Sequence, residues 1–193
     1  MTATEYIKLN AIDEALGTKD RYTQGHARRV ALYAMRLARK VGLSSEETGN
    51  IGLGGMLHDV GKIGWSPRVF REKTLQQCRE MLDEVHRHPG RGVSLLRSMN
   101  FLTPILEYVY CHHERIDGSG YPRGLKDQEI PLGAKIIAVA DCFDAITTDR
   151  PYRKRKNQTE AFEMLRKMAG GHLCSNLVEM FIEDIEDNGM LTD

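Results

Sequence analysis

Residues 132–148 read LGAKIIAVADCFDAITT. Ile136, Ile137, Val139, Ala140, Phe143 and Ile146 recur at helical spacing, so the segment reads as an apolar helix. Asp141 interrupts that run. A carboxylate in such surroundings is costly to bury unless a cation neutralises it. That one position turns a packing helix into a candidate site helix.

Outward from this segment, helical signals dominate. Residues 22–41 carry an apolar stripe at Val30, Leu32, Tyr33, Met35, Leu37 and Ala38 among basic residues. Ser44 followed by Glu47 is a capping box that starts a second helix, continued by Ile51, Leu53, Met56 and Leu57. Gly61, Gly64 and Pro67 break it after Val60. Leu75, Cys78, Leu82 and Val85 mark a third helix over about residues 75–86, interrupted by Pro89 and Gly90 before a short helix at 93–99. Thr103 and Pro104 open another, running to about His113. Residues 114–133 are turn chemistry and predict a long ordered loop with room for a small hairpin. Two last helices fall at about 158–169 and 175–188. The expectation is a single all-α domain over 1–193 with seven to nine helices. Its core would span 21–170, with an N-terminal helix or cap over 1–20 and a C-terminal helix within 171–193.

Composition narrows the function classes. At 193 residues, 41% hydrophobic and 28% charged, the chain suits one globular core and not a disordered or membrane protein. Lys plus Arg equals Asp plus Glu at 27 each, so no overall field points to a nucleic-acid polymer or a membrane. An anionic ligand must therefore meet a local cluster of cations. No run approaches the roughly 18–20 apolar residues of a membrane span, and residues 1–20 lack the apolar centre of a signal peptide. The protein reads as cytoplasmic. Cys78, Cys111, Cys142 and Cys174 contain no CxxC pair, which supports neither a disulfide framework nor a thiolate zinc site.

The histidines are more informative. His58 with Asp59 ends one helix, His112 and His113 end another, His26 lies near the start of a third, and His88 precedes Pro89. A lone helical histidine is more often a packing or surface residue than a ligand. Adjacent pairs are harder to dismiss, because helical neighbours point about 100° apart and cannot share one narrow core stripe. Together with Asp141 these residues make five imidazoles and two carboxylates, too many for a four-coordinate structural zinc. Mixed nitrogen and oxygen donors suggest two metals with open positions, iron or manganese by ligand type, with Asp59 as the bridging carboxylate.

At these same residues the chain resembles the HD-GYP family. LHDVGKIG (57–64) matches the HD signature, HHERIDGSGYPRGL (112–125) the diagnostic segment, and IPLGAKIIAVADCFDAITTDRPYR (130–153) the part bearing the last metal aspartate. The resemblance covers about residues 22–170. It implies an HD-superfamily helical bundle with a loop-rich GYP insert, and a two- or three-metal centre that hydrolyses cyclic di-GMP. Carried over by position, the ligands are His26, His58, Asp59, His88, His112, His113 and Asp141. Three-metal members have a glutamate four residues before the first histidine; here that residue is Tyr22, which favours two divalent ions.

The resemblance also gives Lys62 a catalytic place beside the metals and the scissile phosphate, where an ammonium offsets developing charge. Arg150 and Arg153 match positions that contact substrate phosphate or guanine, for which a planar guanidinium is suited. Asp144, one turn after Asp141, could contact substrate, orient a ligand or cap an arginine. Gly118, Gly120, Tyr121 and Pro122 form a shaped loop, with Tyr121 available for stacking on substrate or for a signalling-protein partner. His86 and His172 stay outside the site. A helix at about residues 5–16 is open to three readings, a homodimer contact, a packed cap or a linker remnant. The implied reaction is water attack at a two-metal site giving pGpG and onward GMP, since no serine has a paired histidine base. The alternatives are cyclic GMP-AMP or another nucleotide as substrate, or a non-catalytic module that binds a messenger or a partner.

Overall fold

In the computed structural model, which describes residues 5, 7, 9, 11, 12, 14, 17, 21–65, 79–149 and 154–191, the stripe expected at 22–41 lies on helix α1 (Arg21–Val41). Its buried positions are Val30, Tyr33, Ala34, Leu37 and Ala38, the i, i+3, i+4 spacing of one helix face. Leu32 falls off that face and is exposed, so the stripe is narrower than the sequence reading drew it. Helix α2 (Ser45–Leu57) begins at the anticipated capping box: Ser44 Oγ accepts from Glu47 N at 3.2 Å, and Glu47 accepts from Ser44 N at 3.0 Å. A 3₁₀ turn over Val60–Gly64 follows.

Helix α3 (Arg79–Leu96) corrects one expectation. It runs straight through Pro89 and Gly90 instead of breaking there. Proline inside a helix costs roughly 3 kcal/mol, in part because the carbonyl four residues back loses its N–H partner. That carbonyl belongs to Val85, and the His88 ring donates to it through Nδ1 at 2.6 Å. The side chain beside the proline thus satisfies the group that the proline orphans.

Thr103 and Pro104 sit in a 3₁₀ turn over Asn100–Ile105, after which α4 (Leu106–Cys111) forms. The remaining helices are α5 (Leu132–Thr147), α6 (Gln158–Met168) and α7 (Ser175–Asn188). These make seven α-helices and no strand among the described residues. The loop at 114–131 is ordered, and the expected hairpin is reduced to a single antiparallel bridge between Asp117 and Lys126.

Helices α1, α5, α6 and α7 enclose the main core. At its centre Tyr33, Phe143 and Phe181 meet edge to face with centroids 5.0–5.7 Å apart, each pair adding roughly 0.5–1.5 kcal/mol beyond its buried area. A second cluster joins Leu57, Val60, Leu96, Leu102, Ile105 and Val109, with Leu9 and Ile12 packed on it. Of the three readings of the N-terminal helix, this favours the packed cap. The site lies where these clusters meet, and one glycine sets its spacing. A methyl group on Gly61 would overlap the His88 carbonyl and stand 2.7 Å from Gly92 N, so only glycine lets the turn after Asp59 lie against α3. No helix among the described residues is long and apolar enough to cross a membrane.

Candidate metal centre

Five elements deliver the seven nominated ligands to one place. His26 comes from α1, His58 and Asp59 from the end of α2, His88 from α3, His112 and His113 from the end of α4, and Asp141 from α5. They assort into two groups, Asp59 with His88, His112 and His113, and His26 with His58 and Asp141. Within each group one ligand atom per residue lies within 4.8 Å of all the others. His58, His88 and His112 are at most 1% exposed, and Asp59 is 3% exposed.

The rings are aimed by the ends of their helices. His58 Nδ1 lies 2.7 Å from the Gly55 carbonyl, and His112 Nδ1 lies 2.7 Å from that of Val109. Both carbonyls belong to a last helical turn, where intrahelical donors run out. His88 uses the carbonyl that Pro89 leaves open. A carbonyl only accepts, so each of these Nδ1 atoms carries the proton and each Nε2 presents a lone pair inward. His26 is oriented instead by Asp144, whose Oδ2 lies 2.7 Å from its Nδ1, while its Nε2 faces Asp141 Oδ1 at 3.1 Å.

This arrangement fits cations. Nε2 of His88 and Nε2 of His112 stand 3.3 Å apart, two lone pairs that repel unless a positive charge lies near them. His58 Nε2 and Asp59 Oδ1 are buried with no hydrogen-bond partner among the described residues, a costly state unless another group fills it. Asp59 spans the two groups. Its Oδ2 is 3.3 Å from His58 Nε2, and its Oδ1 is 3.3 Å from His88 Nε2 and 3.9 Å from His112 Nε2. The donors are nitrogen and oxygen throughout, with no thiolate.

Electrostatics separate the groups. Burial, then the neighbouring imidazoles, hold His112 well below its ordinary value and push His113 down to about 3, so both are neutral and ready to coordinate. Burial opposes charge on His26 too, but the Asp141 and Asp144 carboxylates more than offset it and push it up to about 9. Asp59 stays ionised well below the carboxylate range despite burial, because the Lys62 ammonium lies beside it. Raised from 6.5 to about 9, His26 contributes stability to the metal-free protein that is fully present below 6.5 and lost as pH rises through about 9. A cation entering its group must displace that proton. Mn²⁺ uptake at pH 7 should release about one proton from the His26 group, with affinity there rising about tenfold per pH unit towards pH 9. Calorimetry in buffers of different ionisation enthalpy counts the proton, and zero release would contradict the assignment.

Other nominated residues fall around this centre. The Lys62 ammonium pairs with Asp59 Oδ2 and lies 5.2 Å from the centre of the Trp65 ring. Asp144 is 1% exposed, and its oxygens are engaged by His26 and by Arg29, whose Nε is 2.5 Å away. That geometry suits the orienting and arginine-capping roles. Tyr121 joins Pro122 through a cis peptide bond. Its ring packs at low angles on His113 and His86, with centroids 4.8 and 4.2 Å away, so much of it is spoken for by the protein itself. A methyl on Gly120 would lie 2.6 Å from both the Glu114 Cα and the His113 oxygen, which fixes the loop against the ligand corner. Gly118 holds φ +82°, a left-handed angle suited to glycine. Arg150, Arg153 and the Tyr22 side chain lie outside the described residues.

One residue escaped the sequence reading. Glu114 is buried and accepts from Arg123 N at 2.7 Å and Leu125 N at 2.9 Å, closing the loop on itself. Its signal was available, a carboxylate directly after two ligands and before turn chemistry. His86, which the sequence reading set outside the site, packs its ring on Tyr121 at 4.2 Å between centroids.

A family model described as HD domain matches residues 11–177. The chain is 37% identical over 169 residues to a cyclic di-GMP phosphodiesterase of Thermotoga maritima, covering 86% of this chain and 45% of that one. It is 35% identical over 171 residues to 3'3'-cGAMP-specific phosphodiesterase 2 of Vibrio cholerae, covering 88% and 33%. The chain therefore spans less than half the length of these relatives. Among solved structures, Bd1817, an HDG"Y"P protein of Bdellovibrio bacteriovorus, superposes with a TM-score of 0.68 at 21% identity, covering 83% of this chain and 51% of that one.

Proposed function

This chain belongs to the HD domain family, in its HD-GYP branch, and from that premise we propose that it is a cytoplasmic metal-dependent phosphodiesterase converting cyclic di-GMP to pGpG and onward to GMP. The observation that supports this reading is two adjacent ligand groups, with Asp59 in one of them and 3.3 Å from His58 Nε2 of the other. Two divalent cations, iron or manganese, would be held by His26, His58 and Asp141 on one side and by His88, His112 and His113 on the other. Asp59 would serve both. When bound, such ions supply Lewis acidity to the phosphodiester and make a water acidic enough to attack it.

The chain's own residues do the rest. His58, His88 and His112 stay in the ligating tautomer because their Nδ1 protons are committed to carbonyls. Lys62 stands beside Asp59 to offset charge on the non-bridging phosphate oxygens as water adds to phosphorus and the 3'-oxygen departs. Arg150 and Arg153 grip parts of the dinucleotide whose charge changes little. Arg150→Ala and Arg153→Ala should therefore raise KM severalfold while kcat falls less, measurable by steady-state kinetics on metal-loaded protein.

A second substrate, 3'3'-cGAMP, is favoured by the identity to the Vibrio cholerae relative. The test is metal analysis of anaerobically purified protein coupled to product analysis with both dinucleotides. Two ions per chain with pGpG or GMP released supports the proposal. A single tetrahedral zinc, three ions at full occupancy, or no hydrolysis of cyclic di-GMP by metal-replete protein overturns it.

A further inference from the structure

We propose that His86 is a positioning residue of the metal centre, holding the Tyr121 ring against the ligand His113. The inference rests on the metal-centre reading above. His26, His58, His88 and His112 are each oriented by a hydrogen bond from Nδ1 to a carboxylate or carbonyl. No hydrogen bond to the His113 ring is found among the described residues. What holds that ring is packing, against His112 at 4.0 Å, Tyr121 at 4.8 Å and His88 at 5.0 Å between centroids. His113 is also less buried than His88 or His112. Its orientation thus depends more on its neighbours than that of any other ligand imidazole.

Among the described residues, the backbone ties of Tyr121 run to its own loop. Its N–H donates to the His113 carbonyl at 3.2 Å, Gly120 lies against the Glu114 backbone, and Glu114 closes the loop through Arg123 and Leu125. All of these bonds join the loop to its own N-terminal corner. The ring contacts with His86 at 4.2 Å and His88 at 6.4 Å are what join Tyr121 to α3. His86 is exposed and lies two residues before a ligand on the same helix, so α3 supports the second ligand group twice, through His88 directly and through the His86, Tyr121 and His113 rings. Groups that orient metal ligands typically change metal affinity about 10- to 100-fold when removed.

The test is Mn²⁺ titration of metal-free protein, read by calorimetry and by quenching of Trp65. Trp65 is the chain's sole tryptophan, with its ring centre 5.7 Å from that of His88. His86→Ala should weaken one of two Mn²⁺ ions by about tenfold and leave the other within about twofold. His86→Phe, which keeps a ring, should restore the lost affinity, and the metal-free melting temperature of both variants should match wild type. An alanine variant binding both ions like wild type overturns the inference, as does a phenylalanine variant as impaired as alanine. Equal weakening of both ions together with a lowered metal-free melting temperature would show a merely structural role, and also overturns it. Wild-type protein that binds no Mn²⁺ would instead sink the metal-centre reading, and this inference with it.

Discussion

Asp59→Ala is expected to abolish turnover and to empty at least one of the two metal positions while the helices stay folded. The carboxylate is 3% exposed and divides its oxygens between His58 on one side and His88 with His112 on the other. In the proposed bridging role, removing it takes a ligand from both groups at once. Changes to groups that only orient a ligand cost about 10- to 100-fold, so loss of a shared ligand should exceed a hundredfold. The fold should survive because the surrounding clusters rest on apolar packing, Leu57, Val60, Leu96 and Val109 below the site and the Tyr33, Phe143 and Phe181 rings beyond it. Asp59→Asn, which keeps the shape but not the charge, separates coordination from packing. Elemental analysis and circular dichroism on both variants check the outcome. Activity above about a tenth of wild type would rule out the bridging role, given the size of these effects.

Lys62→Ala should behave differently, keeping its metals and losing rate by about 10²- to 10³-fold, the range for removal of one electrostatic stabiliser. The lysine touches Asp59 but offers no lone pair while charged, so all seven candidate ligands remain in the variant. Its partner carboxylate also keeps the company of His58 and His88. Pre-steady-state or single-turnover kinetics on metal-checked samples should place the loss in the chemical step, with KM little changed. A variant stripped of metal would make Lys62 a guardian of Asp59 ionisation instead of a stabiliser of the reacting phosphate. A variant with wild-type rate would remove it from the mechanism.

Much of the architecture was legible because it is written at short range. The capping box at Ser44 and Glu47, the span of α5 and the span of α7 depend on side chains within a few residues of one another, and each appears where periodicity put it. Pro89 misled for the same reason. Local propensity counts the orphaned carbonyl as a break, whereas the His88 ring three residues after that carbonyl satisfies it. Asp144 was harder to place, since its partners His26 and Arg29 lie 118 and 115 residues away in sequence. His86 was illegible altogether, because its contact is with Tyr121 on a distant loop and nothing in its flanking residues announces a ring partner.

The sequence by itself determined an all-helical chain and the chemistry of its donors: imidazoles paired at helix ends, a carboxylate in an apolar helix, and no thiolate ligand. Those follow from spacing and residue type, which act locally. Only the tertiary structure decided how the seven donors divide into two groups, that Asp59 faces both, and that Lys62 lies on the shared carboxylate. It also decided that His26 meets a carboxylate at each ring nitrogen, Asp144 at Nδ1 and Asp141 at Nε2, which raises its proton affinity while His112 and His113 lose theirs. The physical reason is distance. Coulombic and desolvation energies depend on separations of a few ångströms between atoms, and residues from α1, α2, α3, α4 and α5 come within that range only after the helices pack.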